Sequence, residues 1–328
     1  MSAIGMEESQ RTAFGAPAGD NARGRDVLRR IRAVVLLAGS TGWRNLSASL
    51  RQSVLDLPID SESSVIQQWQ SQIREMAGGL DLPHVSVRLM IDPASLEPTS
   101  RQDCPRAKLS VERDPYEYRG SGGVLYDVSH DYDGDDWLLV ASGGQVLFQP
   151  LADLAERMAD RGGDVCVVAH EDGTPSGLML IRAACLSVIP AIGFVDMKEQ
   201  ALPRIAEDYQ VNVMRLDQIS GMPIRTLDGY IAALRQRHLQ LSGDTSWENA
   251  FAERRPVFQI VQDGTSVSDD AELQDSVVLE GGRVAAGAVV VRSIVSGRGN
   301  VPAGRMVVDQ IVASSAGPRP RPGQGGPS

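Results

Sequence analysis

Ala33-Val34-Val35-Leu36-Leu37 is a continuous apolar run of strand length, the pattern of a parallel strand buried on both faces. A glycine-containing loop follows it. Ile66, Trp69, Ile73 and Met76 then recur at helical spacing behind a Ser-rich start suited to capping. Val85, Val87, Leu89 and Ile91 alternate as a strand, and Trp137-Leu138-Leu139-Val140 predicts a second buried strand. Leu151, Leu154, Ala155 and Met158 predict a helix, Val165 to Val168 a strand, Val211, Val213 and Leu216 another, and Leu227, Tyr230, Ile231 and Leu234 a further helix. Strands that alternate with helices imply an α/β domain: a Rossmann-like, mostly parallel sheet covered on both faces. Ligands of such sheets sit at the carboxyl ends of the strands.

The last part of the chain has a different period. Val267-Ser-Asp-Asp-Ala271 is echoed by Val284-Ala-Ala-Gly-Ala288 and Val301-Pro-Ala-Gly-Arg305, each 17 residues after the last. Within the unit, Ser276-Val277-Val278 matches Ser293-Ile294-Val295 and Gln310-Ile311-Val312, and Gly282 matches Gly299. Branched apolar residues at fixed positions of an internal period predict a stacked β-solenoid, here a short left-handed β-helix with a coil one residue under three hexapeptides. An ordinary array of β-hairpins is the alternative. The expected organisation is a disordered leader over 1–28, an α/β domain over 29–240, a linker over 241–265, the β-helix over 266–312 and a disordered tail over 313–328.

Composition narrows the function. The chain is 42% hydrophobic, enough for a core. A net charge of −10 argues against a general nucleic-acid binder, which needs a basic face for phosphates. No apolar stretch approaches the ~20 residues of a membrane span, so no membrane partner is expected. No signal-peptide core is seen near the start, and a cytoplasmic location is expected. Cys104, Cys166 and Cys185 are widely spaced, with neither a disulfide framework nor a CxxC site. His84, His130, His170 and His238 show no metal-ligand spacing. Asp131, Asp133, Asp135 and Asp136 surround Gly134 like part of a Ca²⁺ loop, but the distal Glu is absent and a solvated acidic turn is the preferred account. No metal ligand is therefore assigned.

Leu37-Ala38-Gly39-Ser40-Thr41-Gly42-Trp43-Arg44-Asn45-Leu46 follows the first strand as a glycine-rich turn. Such a turn lets backbone N–H groups approach phosphate, although many only join a strand to a helix. Gly120-Ser121-Gly122-Gly123 precedes a predicted helix at Val124–Val128. With the strand order and the terminal repeat, these segments make the chain resemble the sugar-1-phosphate nucleotidyltransferases, which include glucose-1-phosphate adenylyl-, thymidylyl- and uridylyltransferases and mannose-1-phosphate guanylyltransferases. The resemblance spans about residues 31–312 and rests on order and local pattern.

The resemblance implies roles. Ala38, Gly39 and Gly42 stand in the family's LAGGxGTRL-type loop, with Ser40 for a Gly and Trp43 for a Thr, and Gly120, Gly122 and Gly123 in its GTAG-like segment; these are the expected nucleotide contacts. Arg44 is the candidate catalytic residue facing the triphosphate. Arg51, in the place of the PKP-type segment, and Lys198, in Asp196-Met197-Lys198-Glu199, are the candidate sugar-phosphate contacts. Each also fits a solvated surface position.

The same resemblance exposes losses. Gly144 stands where the family's first Mg²⁺-binding Asp should be, and Pro223 where the second should be. The EKP-type Lys is missing, replaced by the short turn Glu171-Asp172-Gly173. The family reaction joins an NTP to a sugar 1-phosphate, releasing pyrophosphate, and depends on neutralising two anionic reactants. The expectation is a nucleotidyltransferase-like protein with weak or lost catalysis, whose ligand is a nucleoside triphosphate or sugar phosphate. Mg²⁺ is expected only if it is active. The alternatives are an active enzyme with a rearranged metal site and a scaffold that pairs with an active homologue, with oligomerisation through the β-helix.

Overall fold

The computed structural model describes residues 20–39, 44–82, 84–102, 104, 106–114, 119–242 and 257–313. The predicted strand at Ala33–Leu37 is β1 (Ile31–Leu37), and it lies inside a seven-stranded sheet. On one side of it stand β2 (Val85–Ile91) and then β3 (Ala107–Arg113), all parallel. On the other side stands β4 (Trp137–Ser142), also parallel, with Leu37 opposite Ser142. Beyond β4 come β6 (Val165–His170), β7 (Pro175–Arg182) and β8 (Val211–Leu216) in the order β3-β2-β1-β4-β7-β6-β8. Only β7 runs against its neighbours. It does so because β6 and β7 are joined by the tight turn Glu171–Thr174, where the His170 amide donates to the Thr174 carbonyl at 2.8 Å. A connection that short permits only an antiparallel pair.

Helices cover both faces. α3 (Val65–Gly79) starts at a capping box in which Ser64 Oγ accepts from the Gln67 amide and Gln67 reaches back to the Ser64 amide. Its Ile66, Trp69, Ile73 and Met76 are fully buried, as their spacing predicts. They share one apolar cluster with α5 (Leu151–Arg161), with Leu46 and Leu50 of α2 (Arg44–Leu50), and with Tyr230 and Leu234 of α7 (Leu227–Ser242). The opposite face packs on α4 (Gly120–Ser129) and α6 (Leu202–Asp208), through Leu125, Val128 and Ile205.

The repeat forms three narrow parallel sheets. One is built from β10 (Gln259–Val261), β13 (Ser276–Val278), β16 (Ile294–Val295) and β19 (Ile311–Val312). The second is β11 (Ser266–Val267), β14 (Arg283–Val284) and β17 (Asn300–Val301), and the third β12 (Glu272–Gln274), β15 (Val289–Val291) and β18 (Met306–Val308). Each strand pairs with the strand 17 residues on, as Val277 and Ile294 do, so the sequence period is the height of one coil. Val278, Val284, Val290, Val295, Val301 and Val307 bury themselves inside. At one corner Asp275, Arg292 and Asp309 hold φ of 47°, 45° and 54°. The Arg292 guanidinium donates to both Asp309 oxygens there, at 2.6 and 2.7 Å. Asp309 is accordingly held below the ordinary carboxylate value, mainly by that hydrogen bond.

The stack is joined to the α/β part. Buried Asp275 accepts from the Phe258 amide at 3.2 Å and from the Arg235 guanidinium on α7. Phe258, Ile260, Val277 and Ile294 belong to the same apolar cluster as α3 and α5.

Two boundaries differ from those expected. The span 1–28 contains α1 (Asp20–Arg29), which is helical because Val27 and Leu28 are buried on the α3/α5 side of the sheet. Gly24 lies against Asp160 of α5, where a Cβ would come within 2.4 Å of its Oδ1. The linker 241–265 ends early, because β10 already pairs with β13 from Gln259. Residues 1–19, 243–256 and 314–328 lie outside the described residues. The acidic run 131–136 is not a free turn. Arg88 meets Asp131 at 2.6 Å, Arg32 meets Asp136 at 3.1 Å, and Arg182 meets Asp135 at 3.5 Å. The cluster neutralises arginines at the amino end of the sheet, the end away from the strand termini that bind ligands.

Candidate functional site at the carboxyl ends of the strands

Strand order changes direction at β1, whose neighbours β2 and β4 lead to opposite halves of the sheet. That switch point is where a doubly wound sheet opens a crevice. Two concavities flank it. One, of about 210 Å³, lies at the ends of β1 and β2 and is lined by Ala38, Ser47, Leu55, Ile91, Ser95 and Leu96. The other is an open cleft of about 870 Å³ beyond β4, β6 and β8, lined by Ser142, Gln145, His170, Asp172, Lys198 and Arg225 among others. The larger has the size of a small-molecule site.

Helix α3 shapes the floor between them. The Trp69 indole N–H donates to the Gly143 carbonyl at 2.9 Å. The Gln68 amide holds both backbone groups of Leu147, at 2.9 and 3.0 Å. Gln72 accepts from the Leu151 amide at 2.8 Å. Three side chains of one buried helix face thus fix the segment from Gly143 to Leu151. Its β5 (Gln145–Leu147) pairs antiparallel with β9 (Gly221–Pro223), Gln145 opposite Pro223. The Ile224 amide donates to the Gly144 carbonyl at 2.8 Å. Gly144 and Pro223, far apart in sequence, are therefore neighbours in space.

This juxtaposition tests the fit of Mg²⁺. The two positions are adjacent, as paired ligands would have to be, and neither carries a carboxylate. Among the described residues no group of three or more His, Cys, Asp or Glu is arranged to hold a metal ion. A hard cation takes oxygen ligands, and a Mg²⁺ held by protein usually has one or two carboxylates. Gly144 and Pro223 therefore supply no carboxylate ligand for it.

The predicted contacts separate. Ala38 lines the smaller concavity and Lys198 the larger. Gly39 lines neither; a Cβ there would stand 3.2 Å from the Asp92 amide nitrogen, so close backbone approach explains this glycine. Gly42 and the side chain of Arg44 lie outside the described residues; Arg44 begins α2. Arg51 is exposed with φ of 57° and lines neither concavity. Gly120, Gly122 and Gly123 also line neither. The Gly122 amide donates to the Val195 carbonyl at 2.8 Å, and a Cβ on Gly120 would come within 2.5 Å of the same oxygen. Gly123 gives room to the Arg119 guanidinium. Gly120 and Gly122 thus serve chain packing around Val195, which leaves the Gly122 N–H committed.

Lys198 sits in a single π-helical turn (Met197–Ala201) capped by Asp196, whose Oδ1 accepts from the Lys198 and Glu199 amides at 2.9 and 2.8 Å. Its ammonium group contacts Glu199 at 3.3 Å, both exposed. The cleft rim carries Glu171, Asp172 and Asp217 against Lys198 and Arg225. Thr174, through its amide and hydroxyl, holds Asp172 below the usual carboxylate value, so this rim acid is an anion.

Sequence reasoning passed over two groups. Gln145 is only 2% exposed, and its Nε2 has no hydrogen-bond partner among the described residues. The same holds for Nδ1 of His170. Both residues line the larger cleft. Gln145 stood beside the position read for its missing Asp, and His170 was read only for metal spacing. The signal lies in what their neighbours fail to supply.

The architecture defines an α/β protein with a seven-stranded, mostly parallel sheet and a three-sided parallel strand stack. No family model matches the chain, and no curated protein matches it. Among solved structures it is similar to HddC from Yersinia pseudotuberculosis, at 13% identity over 63% of this chain and 99% of that chain, with a TM-score of 0.44. No helix among the described residues is long and apolar enough to cross a membrane.

Proposed function

We propose that this chain is a nucleotidyltransferase-like protein of sugar-nucleotide metabolism, a cytoplasmic binder of a nucleoside triphosphate or sugar phosphate in which catalysis is weak or lost. The observation that carries this is the pairing across Gly144 and Pro223. The backbone brings the two positions side by side, and neither has an acid to seat a cation. Without that charge, a triphosphate and a sugar phosphate repel, and positioning alone leaves the charge of the transition state unneutralised. A cleft at the carboxyl strand ends supports retained binding. The three-sided stack is read as a short hexapeptide-type left-handed β-helix, supported by its constant coil height and its buried branched residues. We take it as the surface through which copies, or an active homologue, pair.

The test is incubation with each NTP, Mg²⁺ and a set of sugar 1-phosphates, with pyrophosphate detection, alongside thermal shift with the same ligands. Ligand-induced stabilisation without pyrophosphate release is expected. Mg²⁺-dependent turnover would instead establish an active enzyme with a rearranged metal site, for which Glu171, Asp172 and Asp217 on the rim are the available acids.

A further inference from the structure

We propose that Gln145 and His170 form a metal-free binding floor for a polyhydroxylated ligand that bears a single phosphoryl group. The inference rests on the reading above and adds how the ligand is held.

A buried donor with no partner is costly, and native structures keep few of them. Gln145 is such a group, and it sits in a wall built around it. A Cβ on Gly177 would stand 3.7 Å from both of its amide atoms, and one on Gly221 would stand 3.5 Å from its Oε1. Both distances are ordinary van der Waals contact, so the amide is packed against β7 at Gly177 and β9 at Gly221. Nothing among the described residues uses its N–H, and the residue lines the cleft. His170, at the end of β6, brings a second buried ring nitrogen without a partner to the same cleft. An amide and an imidazole are hydrogen-bonding groups suited to ligand oxygens. They stand beside the place where a cation-binding pair is absent.

The rim decides the ligand class. Three carboxylates (Glu171, Asp172, Asp217) face two cations (Lys198, Arg225). Unshielded by metal, that balance repels a triphosphate. It suits a ligand whose hydroxyls donate to carboxylates and whose one phosphoryl group meets Lys198 or Arg225. The cleft, at about 870 Å³, has room for a sugar ring and its phosphate.

The experiment is isothermal titration of the full chain with glucose, mannose and galactose 1-phosphates, in EDTA and again in Mg²⁺. It uses the wild type, Gln145→Leu and Gln145→Glu, with melting temperatures measured without ligand. At least one sugar phosphate is expected to bind in EDTA, with Mg²⁺ adding nothing. Gln145→Leu removes the orphan donor at similar volume, so its ligand-free melting temperature is expected to hold or rise while affinity falls about tenfold or more. Gln145→Glu, which loses the N–H donors, is expected to lose affinity likewise. If Gln145→Leu instead unfolds the protein, the side chain is structural and the assignment is overturned. Binding that demands Mg²⁺, or is unchanged in a folded Gln145 variant, overturns this inference and leaves the reading above standing. No binding of any of these sugar phosphates, in a chain that does bind an NTP, overturns the inference alone; binding of neither class removes both.

Discussion

The Gly144 carbonyl accepts a 2.8 Å hydrogen bond from the Ile224 amide, which ties the loop after β4 to the strand that carries Pro223. Two positions of the chain that carry no acid are thereby fixed side by side. Installing acids at both is the direct test of their meaning. The double variant Gly144→Asp, Pro223→Asp is expected to be less stable than wild type in EDTA, because two carboxylates then repel at close range. It is expected to gain a melting-temperature rise on Mg²⁺ addition that the wild type lacks, since a cation bound only by the folded state stabilises it. Equal Mg²⁺ shifts in both proteins would place metal binding elsewhere.

The floor of the cleft depends on α3. Gln68→Leu removes both bonds to Leu147 and leaves two buried backbone groups unpaired. A loss of about 2–6 kcal/mol in urea unfolding is expected, taking roughly 1–3 kcal/mol for each of the two orphaned groups. Trp69→Phe keeps most of the apolar volume but orphans the Gly143 carbonyl, and about 1–3 kcal/mol is expected. If both variants unfold like the wild type, α3 does not hold this loop.

Much of this was legible in the sequence. The apolar run of β1 and the helical spacing of Ile66 to Met76 became the elements expected, and the 17-residue repeat became stacked parallel strands. β7 was not read as a strand, though Leu178 to Ile181 are apolar and fully or nearly fully buried. Its direction is set by the brevity of the Glu171–Thr174 turn, which is a connection between elements and carries no periodicity of its own. β3 was missed because it is an edge strand whose Leu109 and Val111 are only half-buried. The first coil was missed at Ile260-Val261, which lies one repeat before Val277-Val278 but lacks the small residues of the later units. The site was less legible still. The family resemblance set Gly120, Gly122 and Gly123 against the nucleotide, whereas Gly120 and Gly122 lie against Val195 and Gly123 against Arg119. Whether a glycine faces a ligand or another stretch of chain is decided by tertiary packing, which one sequence does not display.

Arg51 offers a separable test of the sugar-phosphate assignment. Its φ of 57° is left-handed, a conformation costing roughly 1–2 kcal/mol for a side chain with a Cβ. Arg51→Gly is expected to stabilise the protein by about 0.5–1 kcal/mol, the relief of strain offset partly by added freedom in the unfolded chain. Because Arg51 lines neither concavity, sugar-phosphate affinity in the same variant is expected to stay within about twofold of wild type, a difference of about 0.4 kcal/mol. A larger loss would restore Arg51 to the site.

Asp275 is the hinge pin between the strand stack and α7. Removing its carboxylate leaves the Phe258 amide without that acceptor and Arg235 without its partner. Arg235 is partly exposed, so the loss is expected to be about 1–3 kcal/mol rather than that of a fully buried pair. Asp275→Ala also places a Cβ residue with no local polar group at φ of 47°. Asp275→Asn tolerates that conformation better and keeps an acceptor, and is expected to recover part of the loss. Equal losses in the two variants would show that charge on Asp275, and not its backbone shape or its bond to Phe258, joins the parts.

Acid sensitivity is expected to centre on two carboxylates, Glu112 near the carboxyl end of β3 and Asp60 in the loop before α3. Burial favours the neutral form of Glu112, but this is outweighed by hydrogen bonds from Arg88 (2.5 and 2.9 Å) and Ser110 (2.8 Å), and its pKa lies below the ordinary 4.5. Asp60 behaves alike: burial is outweighed by Ser63 and Arg237, and its pKa lies below 3.8. A carboxylate whose pKa falls on folding contributes stability that is complete above its unfolded value. That stability fades as pH drops through the unfolded value and is gone below the folded one. The Glu112 contribution is therefore present at neutral pH and begins to fade near 4.5, and the Asp60 contribution fades from about 3.8. Glu112→Gln is expected to be less stable than wild type at pH 7, and the gap is expected to close as the pH is lowered past 4.5. Urea unfolding of both proteins between pH 7 and pH 3 checks the sign. A gap that stays constant over that range would mean that Glu112 acts through shape and hydrogen-bond count, with no part for its charge beside Arg88.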